Sequence, residues 1–565
     1  MRFDISKIPF SRFGSYFVIS EEESSGRWYL RDLHGGDEAV SNIYEISFPG
    51  TESSSIEVEA TETLLVFRQK EEENKRVDLV FGEENTVHME FTGMPVYLKA
   101  LGGKYDSLVP YGTNQWEHTL YSKERRILFT VVKGKGESRG TWKMTGTEGA
   151  GMLFTPEEEG GYAVLENYRT VWKKKEYPSF DKVWKGLKEE YGRWKTSMPH
   201  IPGVYEEETA LASYLSWANF IGMEGVLKEP SMYSSKNWMF NIWSWDNCFS
   251  ALPLSDKQPE LAYSQLKVFY GIQDASGCYP DYVNDKFYSY SCCKPPIHAW
   301  TFQKMRRNNP YFEEKGRLAE SYESFKRVAE YWVNWRIKRV GALPEYNHGN
   351  DSGWDNASVF HQGVPVESPD LTAYLIRQLD ILSGMAEELG KEEDQKYLKE
   401  TADSLFDTLM KRLYNGRKFI ARLVVNGQPV TQGDSLLLYL PVVIGYRLPK
   451  EVLDRMVLDL EERFEAAYGL CTESLTSPCY KEGGYWLGPV WAPVTYIMLD
   501  ALRENGYEGF ARRLAEKFVR LAPIGLMAEN YDPVSGKGYD DPAFSWTSCV
   551  FLQLLKEYPD MEEKE

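Results

Sequence analysis

The sequence predicts two architectures in series. Residues 1–180 read as an antiparallel β-sandwich and, after a linker helix at 181–204, residues 205–565 read as an (α/α)6 barrel. Three observations predict this. The first 180 residues carry short runs that alternate apolar and polar residues. Past residue 180 the apolar spacing changes to i, i+4 and i+7. Five long loops rich in aromatic and acidic residues then each precede a candidate helix.

The runs SIEVEA, TLLVFRQ, RVDLVFG, TVHMEFTG and RILFTVVKG last six to nine residues, the length of strands. Turn residues fall between them: FGEEN (81–85), GGKYDS (102–107), GKGESRG (134–140) and TEGAGM (147–152). FDKVWKGLKEEYGRWKTSM then reads as the linker helix. Eleven candidate helices follow, at 206–223, 257–273, 297–306, 314–338, 369–389, 392–413, 434–445, 449–463, 489–504, 507–521 and 543–557. No fixed-period repeat is visible, which argues against an open solenoid. A closed double ring of about twelve helices fits both the count and the span.

Composition bounds the partners. A length of 565 residues suits two or three domains. The net charge is −19 and no basic run exceeds Lys173–Lys175, which excludes a nucleic-acid partner. The N-terminus lacks the apolar core of a signal peptide, and no stretch of 18 apolar residues exists, so neither export nor a membrane is expected. The seven Cys form no CxxC, and Cys292 and Cys293 are adjacent. That reads as a reduced, cytoplasmic protein with no disulfide framework, no metal and no cofactor. Aromatics reach 14%, including 17 Trp and 37 Tyr; flat rings with polar edges fill cores and also stack on sugars. The expected partner is a small oligosaccharide or glycoside, and a homo-oligomer is compatible with the sequence.

The five loops are 236–249, 277–300, 347–365, 471–493 and 525–546. In an (α/α)6 barrel such loops gather at one end and line a pocket. Hydrolysing a glycosidic bond there needs an acid to protonate the leaving oxygen, and in an inverting enzyme a second carboxylate to activate water. Asp355 and Glu529, in two different loops, fit these roles. The indole of Trp354 would desolvate Asp355, whose competing reading is an Asx-turn or cap. Glu529 competes with a plain solvated loop acid. Asp246, Asp285, Glu367 and Glu473 are further loop acids, and Asp246 also suits a helix cap. His298, His348 and His361 are scattered, without HExxH spacing. GxSxG, Walker A and GxGxxG patterns are missing too.

The motifs SGWDNAS (352–358), GYWLGPVW (484–491) and ENYDPVSGKG (529–538) resemble glycoside hydrolase family 63 and its relatives. IWSWDNCFSALPL and FSWTSCVFLQLL resemble that family's early Trp-Asp motif and closing helix. The resemblance implies inverting α-glycosidases on an (α/α)6 barrel. It implies Asp355 as general acid and Glu529 as general base. It implies Trp245 and Asp246 in the innermost sugar subsite, with Tyr485, Trp486 and Trp491 as its wall. Trp354 and Gln273 complete the candidate substrate-binding set. Two residues depart from the pattern: Leu487 stands where the family often has Arg, and Asn247-Cys248 follow Asp246. The expected function is exo-acting hydrolysis of a small α-glucoside or α-mannoside. The rival readings are a phosphorylase or α-rhamnosidase-like enzyme on the same fold, and an inactive sugar-binding protein.

Overall fold

The structure is a computed structural model describing residues 1–83 and 85–561. Glu84, in the FGEEN turn, and residues 562–565 at the end of the helical region lie outside the described residues.

Two antiparallel sheets build the N-terminal region. The larger has nine strands in the spatial order 2–3, 56–61, 65–69, 76–81, 86–92, 161–168, 125–133, 115–120, 107–112. The smaller has six, in the order 135–143, 146–155, 96–100, 42–47, 27–32, 17–22. Between them lies a core with Phe67, Phe91, Phe129 and Phe154. Strand Arg76–Phe81 is buried along both faces: Val77, Leu79 and Phe81 enter the sandwich core, and Val80 packs toward the helices. Double-sided burial explains why RVDLVF is nearly continuous in apolar residues.

Two expected turns are strands. GKGESRG lies in strand Lys135–Lys143 and TEGAGM in Gly146–Thr155, paired as a hairpin. The glycines mislead because they serve packing. A Cβ on Gly136 would lie 2.8 Å from the Trp116 ring, and Gly140 (φ +118) sits where the register shifts.

The helices are α1 (Phe180–Ser197), α2 (Glu206–Ala218), α3 (Asp246–Leu254), α4 (Pro259–Lys267), α5 (His298–Asn308) and α6 (Lys315–Trp335). Then come α7 (Pro369–Glu388), α8 (Glu392–Leu413), a 3-10 segment Leu436–Arg447, α9 (Lys450–Arg463), α10 (Ala492–Glu504), α11 (Glu508–Ile524) and α12 (Ser545–Glu557). The inner ring runs α3, α5, α7, the 3-10 segment, α10, α12, and closes where α12 meets α3. The outer ring is α4, α6, α8, α9, α11 and α2, which packs on α12. This is the (α/α)6 barrel. Inner and outer helices differ as burial requires. All residues of α12 from Ser545 to Leu555 are buried. The long outer α8 buries only Leu398, Ala402, Leu405, Leu409 and Leu413, one stripe at helical spacing.

The expected helix 257–273 is corrected to the shorter α4, Pro259–Lys267, followed by a 3-10 turn at Tyr270–Ile272. Pro259 opens α4, where its missing N–H costs nothing, and α3 starts earlier, inside what reads as a loop. The expected helix 434–445 is the 3-10 segment: Pro441 withholds an N–H, and Ile444 leaves helical geometry. The candidate 206–223 stops at Ala218.

Buried charges join the two regions. Arg125 of the sandwich grips Glu224 with two bonds of 2.9 and 2.7 Å. His34 lies between Asp32 and Glu224, and Gly35 donates to Asp285 at 2.7 Å. Burial opposes charge on His34, yet Asp32 and Glu224 hold its pKa above the ordinary value. A proton held more tightly in the folded chain stabilises it fully below about pH 6.5, and that contribution is lost as pH rises through the raised value. Arg125→Met strands the facing carboxylates and should cost about 3–5 kcal/mol in urea unfolding. His34→Asn should flatten the stability loss between neutral and alkaline pH in the same assay.

Candidate active site

All five aromatic loops meet. Asp541 accepts from Asn237 (3.0 Å) and Ser235, fastening the last loop to the first. Lys294 of the second loop donates to the Asn350 carbonyl of the third at 2.7 Å. Asn356 of the third clamps the fourth: its side-chain carbonyl accepts from Trp486 N–H and its amide donates to Gly484, each at 3.0 Å.

A stack of indoles forms the floor. Trp486 lies face to face with Trp491 at 3.7 Å and with Trp354 at 4.9 Å. Trp245 touches Trp486 and Trp546, and Trp546 touches Trp491 edge-on. Trp245 rests directly on backbone. Gly353 takes φ +75, and a Cβ there would stand 2.6 Å from the ring. Trp245, Trp354, Trp486 and Trp491 are all at most 2% exposed, so they are buried packing beneath the loops. The Trp486 indole N–H is buried without a protein partner.

The acids sort by what bonds them. Within NDSGWDNAS, Asp351 is buried against Arg336 (2.5 Å) and accepts from the backbone of Asn347, His348 and Cys293. Among the described residues, Asp355, four residues on, is bonded only by its own backbone. Burial raises its pKa; Asp281 adds to the rise, and Lys294 and His348 hold it back. Glu529 is 3% exposed and accepts from the Tyr485 hydroxyl at 3.0 Å. Burial, then Asp541 and Asp540, push it well above the carboxylate range. The Tyr485 hydroxyl in turn feels both Glu529 and Asp355. Asp246 opens α3, accepts from Ser234 at 3.0 Å, and is pushed by burial to about 7.

The competing acids have structural partners. Glu473 accepts from Ser358 (2.7 Å), Asp434 N–H (2.5 Å) and Ser477. Glu367 is held by Arg412 and Leu343 N–H. Asp285 belongs to the network between the two regions. There His34, Glu224 and Asp285 bring potential ligand atoms within 4.8 Å of one another, but the Arg125 guanidinium already occupies the cation's role. Gln273 spends its bonds away from the indole floor: its amide donates to the Gly277 and Ser324 carbonyls and accepts from the Ser324 hydroxyl.

Sequence reasoning passed over Lys294 and Asp281. They form a buried 2.6 Å ion pair beside Asp246 and Asp355. The signal was present: Lys294 stands between two Cys and two Pro, in a loop rich in aromatic and acidic residues.

A model of the mannosylglycerate hydrolase MGH1-like glycoside hydrolase domain matches residues 239–547, just over half of the chain. The mannosylglycerate hydrolase of Thermus thermophilus is 30% identical over 131 residues, 23% of this chain and 31% of that protein. The matched stretch thus spans less than a third of that relative's length. The crystal structure of a GH63 mannosylglycerate hydrolase from Thermus thermophilus with Tris and D-glycerate superposes with a TM-score of 0.55 at 19% identity, covering 61% of this chain and 98% of that one. A bacterial glucoamylase complexed with acarbose covers 99% of this chain and 94% of its own, with a TM-score of 0.64 at 12% identity. At these identities the superpositions speak for the fold.

The donor inventory separates Glu473 from the site acids. Glu473→Gln keeps the shape but turns an acceptor toward three donors into a half-donor. It should cost about 1–3 kcal/mol in urea unfolding while leaving the pH profile of the folded protein's activity in place.

Proposed function

The chain belongs to the mannosylglycerate hydrolase MGH1-like glycoside hydrolase family, and from that premise we propose that it is an inverting, exo-acting α-glycosidase for a small α-glucoside or α-mannoside. The observation that carries this reading is a pair of buried carboxyls, Asp355 and Glu529, on loops that pack together: Tyr485 donates to Glu529 at 3.0 Å, and Asn356, next to Asp355, bonds the backbone of Gly484 and Trp486 on either side of Tyr485.

In this mechanism Asp355 gives its proton to the glycosidic oxygen as the bond to the anomeric carbon breaks, and the aglycone leaves as an alcohol. A water oxygen bonds the anomeric carbon from the opposite face, and Glu529 takes that water's proton. Solvent then returns a proton to Asp355 and removes one from Glu529. The indole floor excludes water and offers the free N–H of Trp486 to a sugar hydroxyl. Asp246 is the proposed acceptor for sugar hydroxyls. Leu487 supplies no guanidinium fork, so recognition on that side falls to the aromatic wall. The seven unpaired cysteines suit a cytoplasmic enzyme, and among the described residues no helix is long and apolar enough to cross a membrane.

The test is a panel of α-linked glucosides and mannosides, with the anomer of the released sugar followed by proton NMR. Release of the β-anomer first, unaccelerated by phosphate, is the expected result. Release of the α-anomer, or a requirement for phosphate, overturns it. Asp355→Asn and Glu529→Gln should each lose about 10²–10⁴-fold in kcat. An activated leaving group should rescue the first variant and not the second.

The pH profile follows from the shifts. Turnover needs Glu529 ionised and Asp355 protonated, so the rate rises as Glu529 loses its proton and falls as Asp355 loses its own. Both limbs should lie above the ordinary carboxylate values of about 3.9–4.3. The Tyr485 bond holds Glu529 down, so Tyr485→Phe should move the limb that Glu529 sets to higher pH.

A further inference from the structure

Lys294 is 9% exposed, and its ammonium spends two of three donors, on Asp281 at 2.6 Å and on the Asn350 carbonyl at 2.7 Å. It therefore ties the second aromatic loop to the stem of the loop that carries Asp355. Burial opposes its charge, yet Asp281, Asp355 and Asp246 together hold its pKa above the ordinary lysine value. The charged groups facing this point come from every element around it: Asp246 at the head of α3, Asp281 from its own loop, and His348 and Asp355 from the third loop. Asp351 is matched separately by Arg336.

Resting on the glycosidase reading, we propose that Lys294 is a positioning residue whose fixed ammonium balances the negative charge that Asp355 acquires when it gives up its proton. The argument is electrostatic. When the O–H bond of Asp355 breaks toward the leaving oxygen, the electron pair stays on the carboxylate. That anion forms in a buried place already facing Asp281 and Asp246. An opposite charge stabilises it without reorganisation, and the ammonium is fixed on the Asn350 carbonyl, beside Gly349, where a Cβ would run into the Asp355 backbone oxygen. Since the ammonium is bonded on two sides before the reaction begins, its place does not depend on substrate. Without it, Asp355 would be a weaker acid, and alcohols that need full protonation would leave slowly.

The test uses three variants of the full chain, each checked by thermal melting. Lys294→Met should move the limb of kcat/KM that Asp355 sets upward by about one pH unit or more. It should slow poor leaving groups about tenfold and activated ones little. Lys294→Arg keeps the charge and should keep the limb. Asp281→Asn removes an anion facing Asp355 and should move the limb down, which keeps the idea testable if Lys294→Met fails to fold. A merely structural lysine would leave the limb and the leaving-group dependence unmoved, and that result in folded Lys294→Met overturns the proposal. Carboxyl carbon-13 NMR of Asp355, assigned with Asp355→Asn, separates the two readings. A shifted titration without glycosidase activity upholds the pair and removes the hydrolase. Activity with an unshifted titration removes the pair alone.

Discussion

The loop end of the barrel depends on the indole stack that runs from Trp354 through Trp486 to Trp491, braced by Trp245 and Trp546. Burying Asp355 and Glu529 in a charged state is unfavourable, and something rigid must hold the loops against it. Aromatic pairs contribute about 0.5–1.5 kcal/mol each beyond their burial. Several pairs in series, drawn from four different loops, offset that cost in one place. Because the rings are interlocked, moving one loop displaces the others. The carboxyls are thus fixed relative to each other through packing rather than through any bond between them.

The same physics decides which acid does what. Asp351 and Asp355 are four positions apart in one motif and have the same side chain. One is saturated by an arginine and three backbone donors, the other by its own backbone alone. A carboxylate bonded on several sides is held in place, suited to holding a loop. A desolvated one with few bonds, its pKa raised, suits the acid role proposed for Asp355. Tyr485 makes the parallel distinction for Glu529, since its hydroxyl moderates a strong upward push without cancelling it.

Much of this was legible in the sequence because it is local. Alternation marked strands such as Ile56–Thr61, and the stripe Leu398–Leu413 marked an outer helix. The SGWD and ENYDP motifs singled out Asp355 and Glu529 as the candidate pair, because aromatic and acidic residues rarely share a loop without cause. What escaped was set by distant partners. Gly136 and Gly140 signalled a turn, but the ring packed over one and the register shift at the other lie on other strands. Helix α3 hid in an aromatic loop because its stability comes from neighbours on all sides, not from its own periodicity. Lys294 escaped because a lysine is notable only once its pairing with Asp281 and its burial are known. Gln273 had no local warrant, and its bonds go to Ser324 and Gly277.

The inner ring has a seam. It closes where α12 meets α3, and the stitches there are Asp541 on Ser235 and Asn237, and Ser545 on Asn219 and Tyr233. Glu529 stands on the loop that feeds that seam, so one half of the carboxyl pair is among the last parts of the barrel to leave the ribosome. While the polypeptide is still being made, Asp355 and most of the indole stack precede the residue proposed here to activate water. On that reading the order of synthesis delays the chemistry: the proposed pair is not brought together until α12 has been made and packs between α10 and α3.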